Sequence, residues 1–278
     1  MSPEQLPAQD MADLQWAHRH LEHPSLAARL SSVVGVPIEN GLKLLPQAWY
    51  KRLDKAAEFS IKKALNLTIS SMEKLPPDAA HDSLHRLLGV CTGALGGFFG
   101  PLMLLAELPA TTALMLRSIA DIAHSQGEDL NTEDARVACM QVFALGGRTR
   151  EDEAADTGYY GLRITLSLHF SNTFLYTGKA VANAHIPAGV NLVRGIVSRF
   201  GIVISDKAAA QIVPVVGGIS GALLNWVFMQ HFQDTARGHF IVRRLERKHG
   251  SERIRAEYER ISHLETEAEK SFSPLEGW

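Results

Sequence analysis

Apolar residues recur at helical spacing along most of the chain, and alternating strand-like runs are nearly absent. Helices are expected from Gln9 to Glu22 and from Ser25 to Val34, divided at Pro24. Pro37 and Pro46 break the chain again, because an interior proline removes a helix hydrogen bond and clashes with the preceding turn. From Pro46 to Leu75 the pattern is long and amphipathic, with Trp49, Leu53, Ala57, Ile61 and Leu65 on one face, and Pro76-Pro77 ends it. Asn131-Thr132-Glu133-Asp134 has the oxygen-bearing cap and the acids of a helix start, and Gly146-Gly147 supplies the stop after Val137, Met140, Val142 and Phe143. The polar run Arg148 to Thr157 predicts a loop, followed by helices over Tyr159 to Ala184 and Val190 to Phe200 on either side of Pro187. A further helix runs from Leu223 to His249 with Gly250 as its stop. The charged last helix, Ser251 to Lys270, carries the stripe Ile254, Tyr258, Ile261 and Leu264, which is too short for a coiled coil and is expected to dock on the domain. The best strand candidate, Gly201 to Ser205, is short and has no companion, so the expected class is all-α, a single compact multi-helix domain.

Two stretches stand out from this pattern. Leu87 to Ala106 holds 20 residues without a formal charge, and Ala208 to Met229 is likewise uncharged. At ~1.5 Å per helical residue the first would reach across a ~30 Å hydrocarbon layer. Gly93 with Gly97, Gly96 with Gly100, and Gly217 with Gly221, beside Gly218, put glycines one turn apart, a spacing that lets helices approach closely in a membrane or a tight core. Each mid-helix glycine costs ~1 kcal/mol in water, so such clusters call for a packing reason. Pro101 is expected to turn the first stretch into a central helical hairpin, and Pro101, Pro109 and Pro214 argue against ordinary spanning helices and for re-entrant or reversible insertion.

Composition narrows the function classes. Hydrophobic content of 46%, charged content of 21% and a formal net charge of −2 fit a folded globular chain and argue against bulk electrostatic binding of nucleic acid. Cys91 and Cys139 form no metal-ligand or CxxC spacing, which suits a reducing compartment. The start, Met1-Ser2-Pro3-Glu4, lacks the basic-then-apolar pattern of a secretory signal, so a cytoplasmic location is expected.

Five longer runs resemble one family. Gly93 to Gly100, Glu107 to His124 and Gln141 to Gly146, followed by Val213 to Asn225 and Phe232 to Glu246, are similar to the EcsC family of bacterial proteins over roughly Pro46 to Gly250. The division expected is therefore a helical extension over 1–45, an EcsC-like helical domain over 46–250, and a charged helix and tail over 251–278. The resemblance implies a bacterial cytoplasmic protein acting at the inner membrane, and it carries over no catalytic residues.

Enzyme signatures fail one by one. The glycines from Gly93 to Gly100 are not GxGxxG, Gly178-Lys179 is followed by Ala180 and so is no phosphate loop, and Ser220 lacks the glycine two residues on that a nucleophile elbow needs. His81 and His85 have a metal-chelating spacing but no evident third ligand. His18, His20 and His23 sit in a polar segment ended by Pro24 and read as solvated. The polar residues within the apolar runs are more informative: Glu107, Arg117, Asp121 and His124 in one, Asn225, Asp234, Arg237 and His239 in the other. Arg117, Asp121 and His124 share a face, and Asp234 and Arg237 are a turn apart, so a buried ion-pair network of Glu107, Arg117, Asp121, Asn225, Asp234, Arg237 and His239 is the first expectation. The function expected is a non-enzymatic, membrane-proximal helical protein that needs no cofactor and binds lipid, an inner-membrane protein such as a transporter, or a second copy of itself. The alternative is a soluble metal-dependent or hydrolase-like enzyme using Glu107, Asp121, His124, Asp234 and His239.

Overall fold

The structure, a computed structural model, describes residues 6–22, 26–71, 101–147, 158–166, 187–212 and 221–272. Its elements are α1 (Ala8–Glu22), α2 (Leu26–Val34), α3 (Ile38–Leu44), α4 (Gln47–Ser71), α5 (Pro101–Ser125), α6 (Glu133–Leu145), α7 (159–166), α8 (Pro187–Ile212), α9 (Gly221–His249) and α10 (Ser251–Phe272). No strand occurs among the described residues, and the chain is all-α.

The long helices α8 and α9 form the axis. Helix α9 packs against α1, α2, α5, α6, α8 and α10, while α8 packs against α2, α3, α4 and α6, and α4 lies on α5. Contacts give the directions. Ser118 of α5 bonds Gln233 of α9, and Glu128 after α5 meets Arg243, so α5 and α9 run the same way. Helix α1 runs against α9, because Asp10 meets Lys248 while Leu21 faces Gly238. The core joins Leu53, Ala57 and Ile61 of α4, Leu108 and Met115 of α5, Phe143 of α6 and Phe228, Phe232 and Phe240 of α9. Phe143, Phe200 and Phe232 pack ring to ring with centroids 5.3 to 5.7 Å apart.

Local chemistry explains the element ends. Thr132 caps α6, its side-chain oxygen accepting from the Ala135 amide at 3.3 Å. Gly250 joins α9 to α10 at φ 90°, a left-handed conformation that costs other residues strain. Gly146 also ends its helix, but at φ −73°; what it supplies is room, since a Cβ there would stand 2.7 Å from the Phe232 ring. Close backbone approach occurs at Gly147, where a Cβ would lie 2.5 Å from the Arg199 carbonyl oxygen.

The helices break at Pro37 and at Pro46 as expected, and between them stands a short helix, α3, that the pattern did not predict, anchored by buried Ile38. Other features depart from the sequence reading. Helix α8 continues through Gly201 to Ile212 instead of stopping at Phe200, since Val203, Ile204 and Ala208 extend its buried face. Pro109 lies inside α5 without ending it. The α10 stripe ends early: Ile254, Tyr258 and Ile261 are buried, whereas Leu264 is 51% exposed. The expected hairpin, with Gly93, Gly96, Gly97, Gly100, Gly217 and Gly218, and the pair His81 and His85 lie outside the described residues. Pro101 is the first residue of α5 and Gly221 the first of α9.

Candidate functional site

The most unusual side chain in the bundle is Lys207 on α8, which is 1% exposed. Its Nζ donates to Asn225 Oδ1 of α9 at 2.6 Å, stands 3.8 Å from Glu107 Oε1 of α5, and lies 4.5 Å from the centre of the Phe228 ring. The Thr111 hydroxyl donates to the same Glu107 oxygen at 3.1 Å. Burial pushes the Lys207 ammonium down to about 8, although Glu107 acts in the opposite sense; removal from water outweighs the nearby carboxylate. Glu107 lies near the start of α5, Asn225 one turn into α9, and Lys207 near the end of α8. The three helix ends that adjoin the two uncharged stretches therefore meet at one end of the bundle. At that end Leu223 and Trp226, three residues apart on α9, are 40% and 36% exposed.

The opposite end is charged. Arg243 donates to both oxygens of Glu128, at 2.7 and 3.0 Å, and to Asp134 at 2.6 Å. Arg247 bonds the same Glu128, Arg244 bonds Asp13 at 2.5 Å, and Lys248 and His249 share Asp10 at 2.7 Å. The bonds from Arg243 and Arg247 hold Glu128 below the usual carboxylate range, although burial, the largest single influence, pushes the other way. Bidentate guanidinium contacts of this kind compensate buried charge far better than one ammonium at a distance.

Between the ends lies a polar and aromatic middle. Tyr159 shares a 2.9 Å hydrogen bond with His239 Nδ1, and Arg163 grips Glu246 with two bonds of 2.8 Å while Tyr160 donates to that glutamate at 3.0 Å. Burial first, then Arg163 and Arg243, keep His239 neutral, well below the ordinary histidine value, and burial pushes Tyr159 up to about 12. His231 donates through Nε2 to the Gly146 carbonyl at 2.6 Å and is lowered to about 4, chiefly by burial. These groups fix helix register, and the one set among the described residues that lines up a hydroxyl, an imidazole and a carboxylate lies apart from them, where His18 of α1 has Ser262 Oγ 2.6 Å from its Nε2 and Glu265 3.2 Å from its Nδ1. Among the described residues no three His, Cys, Asp or Glu side chains are placed to hold a metal.

The sequence-based candidates separate. Glu107 and Asn225 do meet, through Lys207. Asp121 lies 3.5 Å from Arg117, but Arg117 is 43% exposed, so it stands at the rim and not in a buried network; its long side chain reaches water from the face that α5 leaves open. His124 is exposed on the last turn of α5. Asp234 accepts from Arg29 of α2 at 2.7 Å, and Arg237 is half-buried nearby on α9. His18, expected to be solvated, is buried against Tyr258 and bonded to Ser262 at 2.6 Å. Lys207, Tyr159, Arg163, Glu246, Arg243, Glu128 and His231 escaped the sequence reading. For Lys207 a signal existed: Ile196, Phe200, Val203, Ile204 and Lys207 share one helical face.

A family model described as the EcsC protein family matches residues 15–245, from α1 to the last turns of α9. The match begins earlier in the chain than the sequence resemblance reached and takes in most of α1, all of α2 and all of α3. No curated protein and no solved structure matches the chain.

Proposed function

The chain belongs to the EcsC protein family, and we propose that it is a non-enzymatic helical protein that contacts the lipid of a membrane surface through the apolar end of its bundle. The observation that carries this reading is the exposed pair Leu223 and Trp226, set where both uncharged stretches join α5, α8 and α9. Tryptophan beside an aliphatic residue suits the boundary between headgroups and acyl chains, where the ring body is apolar and its N–H stays hydrated. The charged end supplies the opposite pole, with its arginines engaged by carboxylates of the same chain and so turned to structural use. No helix among the described residues is long and apolar enough to cross a membrane; the contact proposed is interfacial.

Flotation on protein-free vesicles tests it. The full chain floats, and a Leu223→Ser/Trp226→Ser variant with an unchanged circular-dichroism spectrum floats about tenfold less, as expected from losing most of two apolar side-chain burials. A wild-type chain that stays at the bottom of the gradient with both zwitterionic and anionic vesicles overturns the reading. Sedimentation with native membranes but not with vesicles would replace lipid by a membrane-protein partner.

A further inference from the structure

We propose that Lys207 is a lever that biases the apolar end toward opening, so that α8 parts from α5 and α9 and apolar surface becomes available to lipid. The proposal rests on the membrane-contact reading and concerns its regulation.

One Nζ ties three helices together: its own α8, α9 through Asn225, and α5 through Glu107. That contact is a poor exchange for water. An ammonium in a protein interior loses hydration worth several kcal/mol, and a carboxylate restores the balance only in close, well-bonded geometry. Glu107 stands 3.8 Å away, beyond hydrogen-bonding reach, leaving one neutral acceptor at 2.6 Å and the face of Phe228. Glu107 is the one charge among the described residues that acts on Lys207; α2, α3, α4 and α6, which surround α8, add none, and the neighbouring Asp206 is raised by burial first and by Glu39 second. Opening would return both charges to water, and the apolar packing of Leu224 and Phe228 opposes it. The two are set against each other at the point where a membrane could tip the balance. The sign is fixed by the lysine. An opened end holds it at its ordinary value of 10.5, against about 8 when closed, so the closed form gains as pH rises from 8 toward 10.5 and carries the full bias below 8.

Hydrogen exchange of the full chain tests this without a membrane. At neutral pH a Lys207→Met/Glu107→Gln variant, which removes both charges and keeps their volume, exchanges the amides at the starts of α5 and α9 about tenfold more slowly than wild type or slower still, and it floats less on vesicles. Unchanged or faster exchange in that variant overturns the lever whatever the flotation result. Slower exchange in a protein whose wild type never floats keeps the lever and removes the membrane reading. Should the double variant not fold, Glu107→Gln alone decides: it strips the ammonium of its countercharge, so exchange at the same amides must quicken, and exchange that does not quicken overturns the proposal.

Discussion

At one end of α9 Arg243 reaches Glu128 through two bonds of 2.7 and 3.0 Å, whereas at the other end Lys207 faces Glu107 across 3.8 Å. Both pairs are largely withdrawn from water, yet burial leaves opposite marks. The Glu128 carboxyl is held below its ordinary range by its arginines, while the Lys207 ammonium is pushed down despite its carboxylate. The difference is geometric. A planar guanidinium matches two carboxylate oxygens at once, while a single ammonium at that separation recovers little of its hydration. One end is thus fastened by charge and the other is loosened by it.

The comparison breaks most visibly at the fastened end. Arg243→Met leaves Glu128 buried with only Arg247 at its edge, and should lower the unfolding free energy by about 3 to 5 kcal/mol in urea denaturation; a loss near zero would mean that the network stabilises nothing. Next in size is His231, between the ends. Its folded value of about 4 lies below the ordinary 6.5, so the unfolded chain binds the extra proton first: the stabilisation is present above pH 6.5 and is lost as pH falls toward 4. That amounts to about 3 kcal/mol, and His231→Gln should flatten this part of the stability profile. Smaller and opposite in sign is the loosened end. Replacing the pair by Lys207→Met/Glu107→Gln should raise stability by about 1 to 3 kcal/mol, seen as a higher Tm at pH 7 and a narrower gap from wild type at pH 10. The smallest effect belongs to the surface of α10, where Arg255 and Glu259 pair at 2.8 Å in full view of solvent; Glu259→Gln should leave the urea midpoint unchanged.

Much of this architecture can be read from residue order. The cap at Thr132, the stop at Gly250 and the buried stripe Leu53, Ala57, Ile61 are local features, written in spacings of a few residues. The polar middle is not local: Arg163 and Glu246 lie 83 positions apart, and Tyr159 and His239 lie 80 apart, so only the packed bundle shows that they meet. Lys207 was hidden for a third reason. It directly precedes the uncharged run that starts at Ala208, where a lysine looks like a solvated flank, and only the continuation of α8 past Gly201 turns it inward. Glu107 and Asn225 could be singled out as polar residues in apolar surroundings, whereas the group that joins them was marked only by its place on the face of Ile196, Phe200, Val203 and Ile204.

Trp226 gives the most direct test of a lipid-facing end. In a full chain carrying Trp16→Phe, Trp49→Phe and Trp278→Phe, its emission should shift to the blue when vesicles are added and be quenched by lipids brominated along the acyl chains. Emission that neither shifts nor quenches, in a protein that keeps its helical spectrum, would contradict the account.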